Sequence, residues 1–135
     1  MLGEYPVTTS EARTRGIRVC VSARYSPRHS SPQQCRWFFL YTIEISNEGQ
    51  EPVQLVNRHW VITDATGEVE EIRGPGVVGA QPSLKPGQSF KYTSGCPLET
   101  PFGCMHGSYE MVTTDGEHFD AQVASFNLSQ PHAVH

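Results

Sequence analysis

No run of this chain is apolar for long enough to cross a membrane. Its first residues, Met1-Leu2-Gly3-Glu4-Tyr5, lack the basic and then apolar stretch of a secretory leader, and Leu2 breaks the myristoylation pattern. Cysteine is sparse. Cys20, Cys35, Cys96 and Cys104 include no C-x-x-C pair of the kind that builds a zinc site or a redox dithiol. Without a leader they read as reduced thiols in a cytoplasmic protein. Positive charge is also short: 10 Lys and Arg stand against 14 Asp and Glu, a net charge of −4. That balance argues against non-specific nucleic-acid binding and against an anionic membrane surface. Helix-sustaining windows are missing too. The one helix-like run, residues 68–73, is held between Gly67 and Gly74 and is too short to nucleate.

What the chain does have is turn residues, 12 Gly and 10 Pro, between short alternating segments. Ile17, Val19, Val21 and Ala23 share one face of a half-buried strand. Trp37, Phe39, Tyr41, Ile43 and Ile45 share one face of the next. Val53 and Leu55 continue the core, but Trp60 and Ile62 have the opposite parity, which predicts a bulge near Asn57-Arg58-His59. Asp64-Ala65-Thr66-Gly67 predicts a hairpin, as does Asp115-Gly116. Phe90 and Tyr92, then Tyr109 and Met111, then Phe119, Ala121 and Val123 alternate in turn. About seven or eight antiparallel strands on 135 residues predict one all-β domain, an immunoglobulin- or fibronectin-III-like β-sandwich over residues 16–128. Residues 1–15 read as a flexible arm, 129–135 as a polar tail, and 95–107 as a long loop stiffened by Pro97 and Pro101.

The segment Gly74-Pro75-Gly76-Val77-Val78-Gly79-Ala80-Gln81-Pro82 holds a G-x-G-x-x-G spacing, but no nucleotide site follows from it. A dinucleotide fingerprint needs a helix to open at its last glycine, and Pro82 and Pro86 forbid one. A P-loop needs Lys-Ser/Thr where Ala80-Gln81 stand. Gly74, Gly76 and Gly79 remain a weak candidate for an anion nest of backbone amides, against the plainer reading of a tight crossing. Asp64, Glu68 and Glu70, with Glu71 beside them, are weak candidates for a hard cation and lack EF-hand spacing. Cys96, Cys104 and His106 are near in sequence and are a candidate soft-metal set, while His132 and His135 lie in the tail. No G-x-S-x-G elbow is present, and Ser94, His59 and Asp64 show no triad pattern. No cofactor is expected. Two surfaces are candidates for binding a protein: Arg58 and His59 at the bulge, and Glu99 with Phe102 in the long loop.

Several of these strings together resemble the ApaG family: Arg58-His59-Trp60-Val61-Ile62-Thr63-Asp64, the glycine segment, Tyr92-Thr93-Ser94-Gly95-Cys96-Pro97-Leu98 and Gly107-Ser108-Tyr109-Glu110-Met111-Val112. The resemblance runs from about Gly16 to Leu128. Cys104 and Val123-Ala124 depart from the usual pattern. The resemblance implies a fibronectin-III/immunoglobulin-like sandwich and no catalytic residues to carry over. It implies a link to cobalt resistance and magnesium efflux for free-standing members, and a protein-interaction role where the domain is attached to other proteins. The expectation is therefore a non-enzymatic domain that binds an unidentified protein partner. The alternative is a divalent-cation or phosphate-ligand protein.

Overall fold

The computed structural model describes residues 6–131. These described residues form nine strands: β1 (Thr8–Thr14), β2 (Ile17–Tyr25), β3 (Trp37–Asn47), β4 (Val53–Asp64), β5 (Val69–Pro75), β6 (Ser83–Leu84), β7 (Ser89–Leu98), β8 (Phe102–Thr113) and β9 (His118–Ser129). One sheet has the order β1-β2-β3-β7 and the other β5-β4-β8-β9, with the short β6 also paired to β4. Every pairing is antiparallel. Among the described residues the only helical turns are two 3-10 turns, Pro27–His29 and Pro32–Gln34. The chain is an all-β sandwich.

Alternation places the core where the period-2 pattern predicts it. Ile17, Val19, Val21 and Ala23 of β2 and Phe39, Tyr41, Ile43 and Ile45 of β3 face Leu55, Trp60, Tyr109, Met111 and Phe126 across the sandwich, all buried. Trp60 is the centre of an aromatic cluster, in edge-to-face contact with Tyr41, Tyr109 and Phe126. Gly107 lies opposite it in β8, where an added Cβ would meet the His59 carbonyl at 2.1 Å. Buried Asn47 closes the turn after β3: its amide donates to the Glu51 and Leu84 carbonyls, and its Oδ1 accepts from Gly49 N.

Three expectations need correction. Residues 1–15 are not a loose arm throughout, because Thr8–Thr14 is β1, paired along its whole length with β2. It carries little apolar surface. Its hydroxyls instead stitch it to β9 of the other sheet: Thr8 Oγ1 donates to Asn127 O at 2.6 Å, Ser10 Oγ donates to Ala124 O at 2.9 Å, and Thr14 Oγ1 accepts from Gln122 N at 3.0 Å. The remainder of the arm up to residue 5 lies outside the described residues. So does the tail from 132, whereas Gln130 is fastened by its N–H to Pro101 O and by its side-chain oxygen to the Trp37 indole.

Residues 95–107 are not a long loop either. β7 continues to Leu98 and β8 begins at Phe102, joined by a short turn. Pro97 is tolerated because β7 is an edge strand, where a missing N–H costs no ladder bond. Gly95 lies under the Phe38 ring, and Gly103 sits against the Thr63 carbonyl, 2.5 Å from where its Cβ would be. These glycines serve close approach and not looseness. The bulge, finally, falls at Val56, between Leu55 and Asn57, slightly before the expected position.

Candidate functional site

The sandwich is sealed along one side and open along the other. β1 and β9 are joined by the hydroxyl bonds described above. β5 and β7, the opposite edges of the two sheets, are not paired to each other. Along β5, Glu70 pairs with Ile62 and Ile72 with Trp60, so all four share the core-side face. Ile62 and Trp60 are buried, but Ile72 is 37% exposed. β5 therefore projects past the sheet that faces it, and a cleft opens beneath it.

The cleft has two halves, and Pro97 of β7 lines both. One half, about 400 Å³, is acidic: Asp64, Glu68, Glu70 and Glu99 border it, against the single guanidinium of Arg36, above Ile62 and Leu98. The other, about 330 Å³, is lined by Arg58, Trp60, Ile72, Val78, Tyr92 and Cys96 among others. The bulge explains Arg58. It shifts parity so that Arg58 shares the face of Trp60 while His59 turns to the outer surface. Arg58 Nη1 donates to the Pro75 and Gly76 carbonyls, at 2.8 and 2.9 Å, and Arg58 makes no ion pair among the described residues. Burial pushes the Cys96 thiol up to about 12, and the Glu70 carboxylate adds to the effect. Burial likewise raises Tyr41 and Tyr92, opposed in part by their hydrogen bonds with Ser94 and Tyr109 respectively and, least, by the Arg58 charge.

The glycine segment caps this second half. Residues 77–80 form a two-residue hairpin in which Val77 N donates to Ala80 O and Ala80 N to Val77 O. Val78 and Gly79 at its tip both have positive φ, 42° and 80°, the signature of a type I′ turn. Gly76 also has positive φ, and its Cβ would fall 2.2 Å from the Ala80 carbonyl. Val77 is buried while Val78 is 59% exposed. The amides of Gly76, Val77 and Ala80 all donate to carbonyls, so three of the donors that an anion nest would use are committed.

The remaining candidates separate. Glu99 borders the acidic half of the cleft; Phe102 opens β8 opposite Ser129, 42% exposed, and is not among the cleft residues. His59 Nε2 meets Glu71 at 2.8 Å on the outer face, where a hollow of about 430 Å³ is bordered by Asn57, Arg73, Ser108, Glu110 and Asp120. That hydrogen bond holds Glu71 below its usual range. Asp64 Oδ1 accepts from the Thr66 hydroxyl and amide and from Glu68 N, which closes the turn and lowers its pKa. Cys96 faces the core, whereas Cys104 and His106 lie on the outer face of β8. No group of three or more His, Cys, Asp or Glu that could hold a metal occurs among the described residues. Ser94, His59 and Asp64 are not brought together. A serine–histidine hydrogen bond does occur elsewhere, Ser26 Oγ to His29 Nδ1 at 2.7 Å, in a 3-10 turn outside the cleft. What sequence reasoning missed is that Glu68, Glu70, Glu99, Ile72, Val78 and Arg58 belong to one cleft. Their positions carry no common spacing, because a sheet edge and a hairpin from different parts of the chain assemble it.

Relatives are numerous. A protein called ApaG from Methylobacterium sp. (strain 4-46) is 55% identical over 122 residues, covering 90% of this chain and 94% of its own. One from Rhodospirillum centenum is 54% identical over 119 residues, covering 88% and 92%. A crystal structure of a Bordetella pertussis protein described as ApaA superposes with a TM-score of 0.83 at 48% identity, covering 87% of this chain and 95% of that one. The ApaG domain model matches residues 27–113. These residues span β3 to β8 and include every strand and turn that borders the cleft, and the chain belongs to the ApaG domain family.

Proposed function

We propose that this protein is a non-catalytic binding domain that receives a polypeptide partner in the cleft between β5 and β7. The observation that supports this most is the one-sided opening of the sandwich. One pair of edges is stitched shut, while the other leaves Val69, Ile72 and Val78 in solvent beside unpaired charges. A scaffold with an apolar and charged cleft suits recognition. The four free cysteines fit a reducing compartment, so we place the protein in the cytoplasm. The alternative is a cation or phosphate ligand. Calorimetric titration with magnesium, cobalt and inorganic phosphate tests it directly.

A photo-reactive phenylalanine analogue installed at Ile72 tests the reading, with Lys91 on the outer surface of the first sheet as control. Covalent adducts to a protein are expected in cells from position 72 and not from 91. Equal labelling from both positions, or none from 72, removes the cleft as the binding surface.

A further inference from the structure

We infer that the partner segment is an extended polypeptide that adds as a strand to the free edge of β5 and presents basic side chains, then an apolar one, to the cleft. The inference rests on the binding reading above and names the kind of segment that fits. Of the four edge strands, β1 and β9 are joined through their hydroxyl–carbonyl bonds. β7 carries Pro97 inside its span, which removes a donor from any further ladder. β5 has no proline before its last residue and pairs with β4 on one side only. An exposed edge without proline is the template for strand addition, in which main-chain hydrogen bonds give affinity and alternate side chains give specificity.

The charges select the side chains. Glu68, Glu70 and Glu99 make no ion pair or side-chain hydrogen bond among the described residues, in contrast to Glu71, which is held by His59 and Arg73. Residues directly opposite each other on antiparallel strands bring their Cβ atoms within about 5 Å. A side chain on the cleft face of an added strand, opposite Glu70 or one position towards Glu68, therefore gains from positive charge. The next cleft position lies beside Ile72, half-exposed, and gains from an aliphatic group. The fit is basic, basic, apolar at alternate residues. Acidic edges also discourage self-pairing, since a second copy of β5 would set glutamates against glutamates.

The test uses the full chain, isotopically labelled, and an acetylated, amidated peptide of sequence Thr-Lys-Thr-Lys-Thr-Val-Thr, together with its reversed order, since strand direction is free. One of the two orders is expected to shift amide resonances along β5 and at Arg36 and Glu99, and to slow amide exchange in β5. Replacing both lysines by glutamate, or methylating alternate peptide nitrogens, is expected to weaken binding at least about tenfold. Glu70→Lys should do the same without lowering the melting temperature, and Glu68→Lys/Glu70→Lys should bind the glutamate peptide instead. Failure of both orders to bind, shifts centred on β7 or the outer face, or indifference to charge and methylation would each overturn the inference. If the peptides fail while Ile72 still cross-links, strand addition is wrong and the cleft reading survives. If neither occurs, both fall.

Discussion

The hydroxyl groups of Tyr92 and Tyr109 meet in the core, one from each sheet, and form a hydrogen bond across the sandwich. Tyr109 is fully enclosed, whereas Tyr92 also borders the cleft. Removing one hydroxyl orphans the other, which costs about 1–3 kcal/mol when the orphan is buried. Tyr92→Phe should therefore destabilise more than Tyr109→Phe, because the Tyr92 hydroxyl, once orphaned, has the cleft to turn to. The double Phe variant should be less destabilised than the sum of the singles. Urea unfolding of the three variants measures this, and strict additivity would show that the bond contributes nothing.

Burial also fixes the alkaline limit. Cys96 is pushed up from 9.0 to about 12, and Tyr41, Tyr92 and Tyr109 are raised above their ordinary 10.0. A raised folded pKa means that the unfolded chain releases these protons first, so their stabilising contribution is whole below about pH 9 and declines above it. Each such group adds a slope of about 1.4 kcal/mol per pH unit between its two pKa values. Stability should fall from about pH 9 upward, and Cys96→Ala should flatten the first part of that fall. On the acid side, Asp64, Glu71 and Glu110 are lowered by the Thr66 hydroxyl, His59 and Asn57 respectively. Their contribution holds above the carboxylate range and is lost as pH falls through it. Chemical denaturation across pH 3–11 checks both limbs.

Legibility in the sequence followed the hydrophobic period. β2, β3 and the Asp64–Gly67 hairpin can be read directly, because Ile17 to Ala23 and Phe39 to Ile45 alternate and Asp64 closes its own turn. β1 cannot be read that way. Its signal is a hydroxyl at positions 8, 10 and 14, which means nothing until β9 stands opposite. The β7–β8 hairpin was obscured by Pro97 and Gly95, ordinarily loop residues. An edge position and the Phe38 ring make them acceptable in a strand. The separate candidates Arg58, Glu70 and Glu99 were visible one by one. Their shared cleft depends on β5 overhanging β7, a tertiary fact.

The thiols should react in a fixed order. Cys35 is exposed, in a left-handed turn after Pro32–Gln34; Cys20 and Cys104 are half-buried; Cys96 is buried and holds its proton. Thiolate is the reactive form, so timed iodoacetamide labelling of native protein at pH 8 should mark Cys35 first and Cys96 last. Early labelling of Cys96 would mean that the cleft opens far enough to expose its floor.

Trp60 and Phe102 should separate core from surface. Trp60→Ala removes the centre of the aromatic cluster and should cost about 3–5 kcal/mol. Phe102→Ala should cost about 1 kcal/mol or less, and adducts from position 72 should persist, since Phe102 does not border the cleft. Loss of those adducts in Phe102→Ala would extend the binding surface to the β7–β8 turn.

Val78 sets stability against recognition. It is β-branched, yet its φ is 42°, in the region that favours glycine and asparagine. Its neighbour Gly79 completes the type I′ geometry, for which Asn-Gly is the preferred pair. A β-branched side chain in a left-handed turn costs about 1–3 kcal/mol, and the cost persists only where the surroundings hold it. Here the surroundings are the buried Val77 on one side and Gly76, packed on the Ala80 carbonyl, on the other. The side chain that bears this strain is 59% exposed at the mouth of the cleft, so folding gains little from it. Val78→Asn should therefore raise the unfolding free energy by about 1 kcal/mol while reducing adduct formation from position 72, as expected of a residue kept for contact and not for stability. If Val78→Asn is destabilising, Val78 packs more than it strains. If it stabilises and leaves the adducts intact, the hairpin tip takes no part in binding.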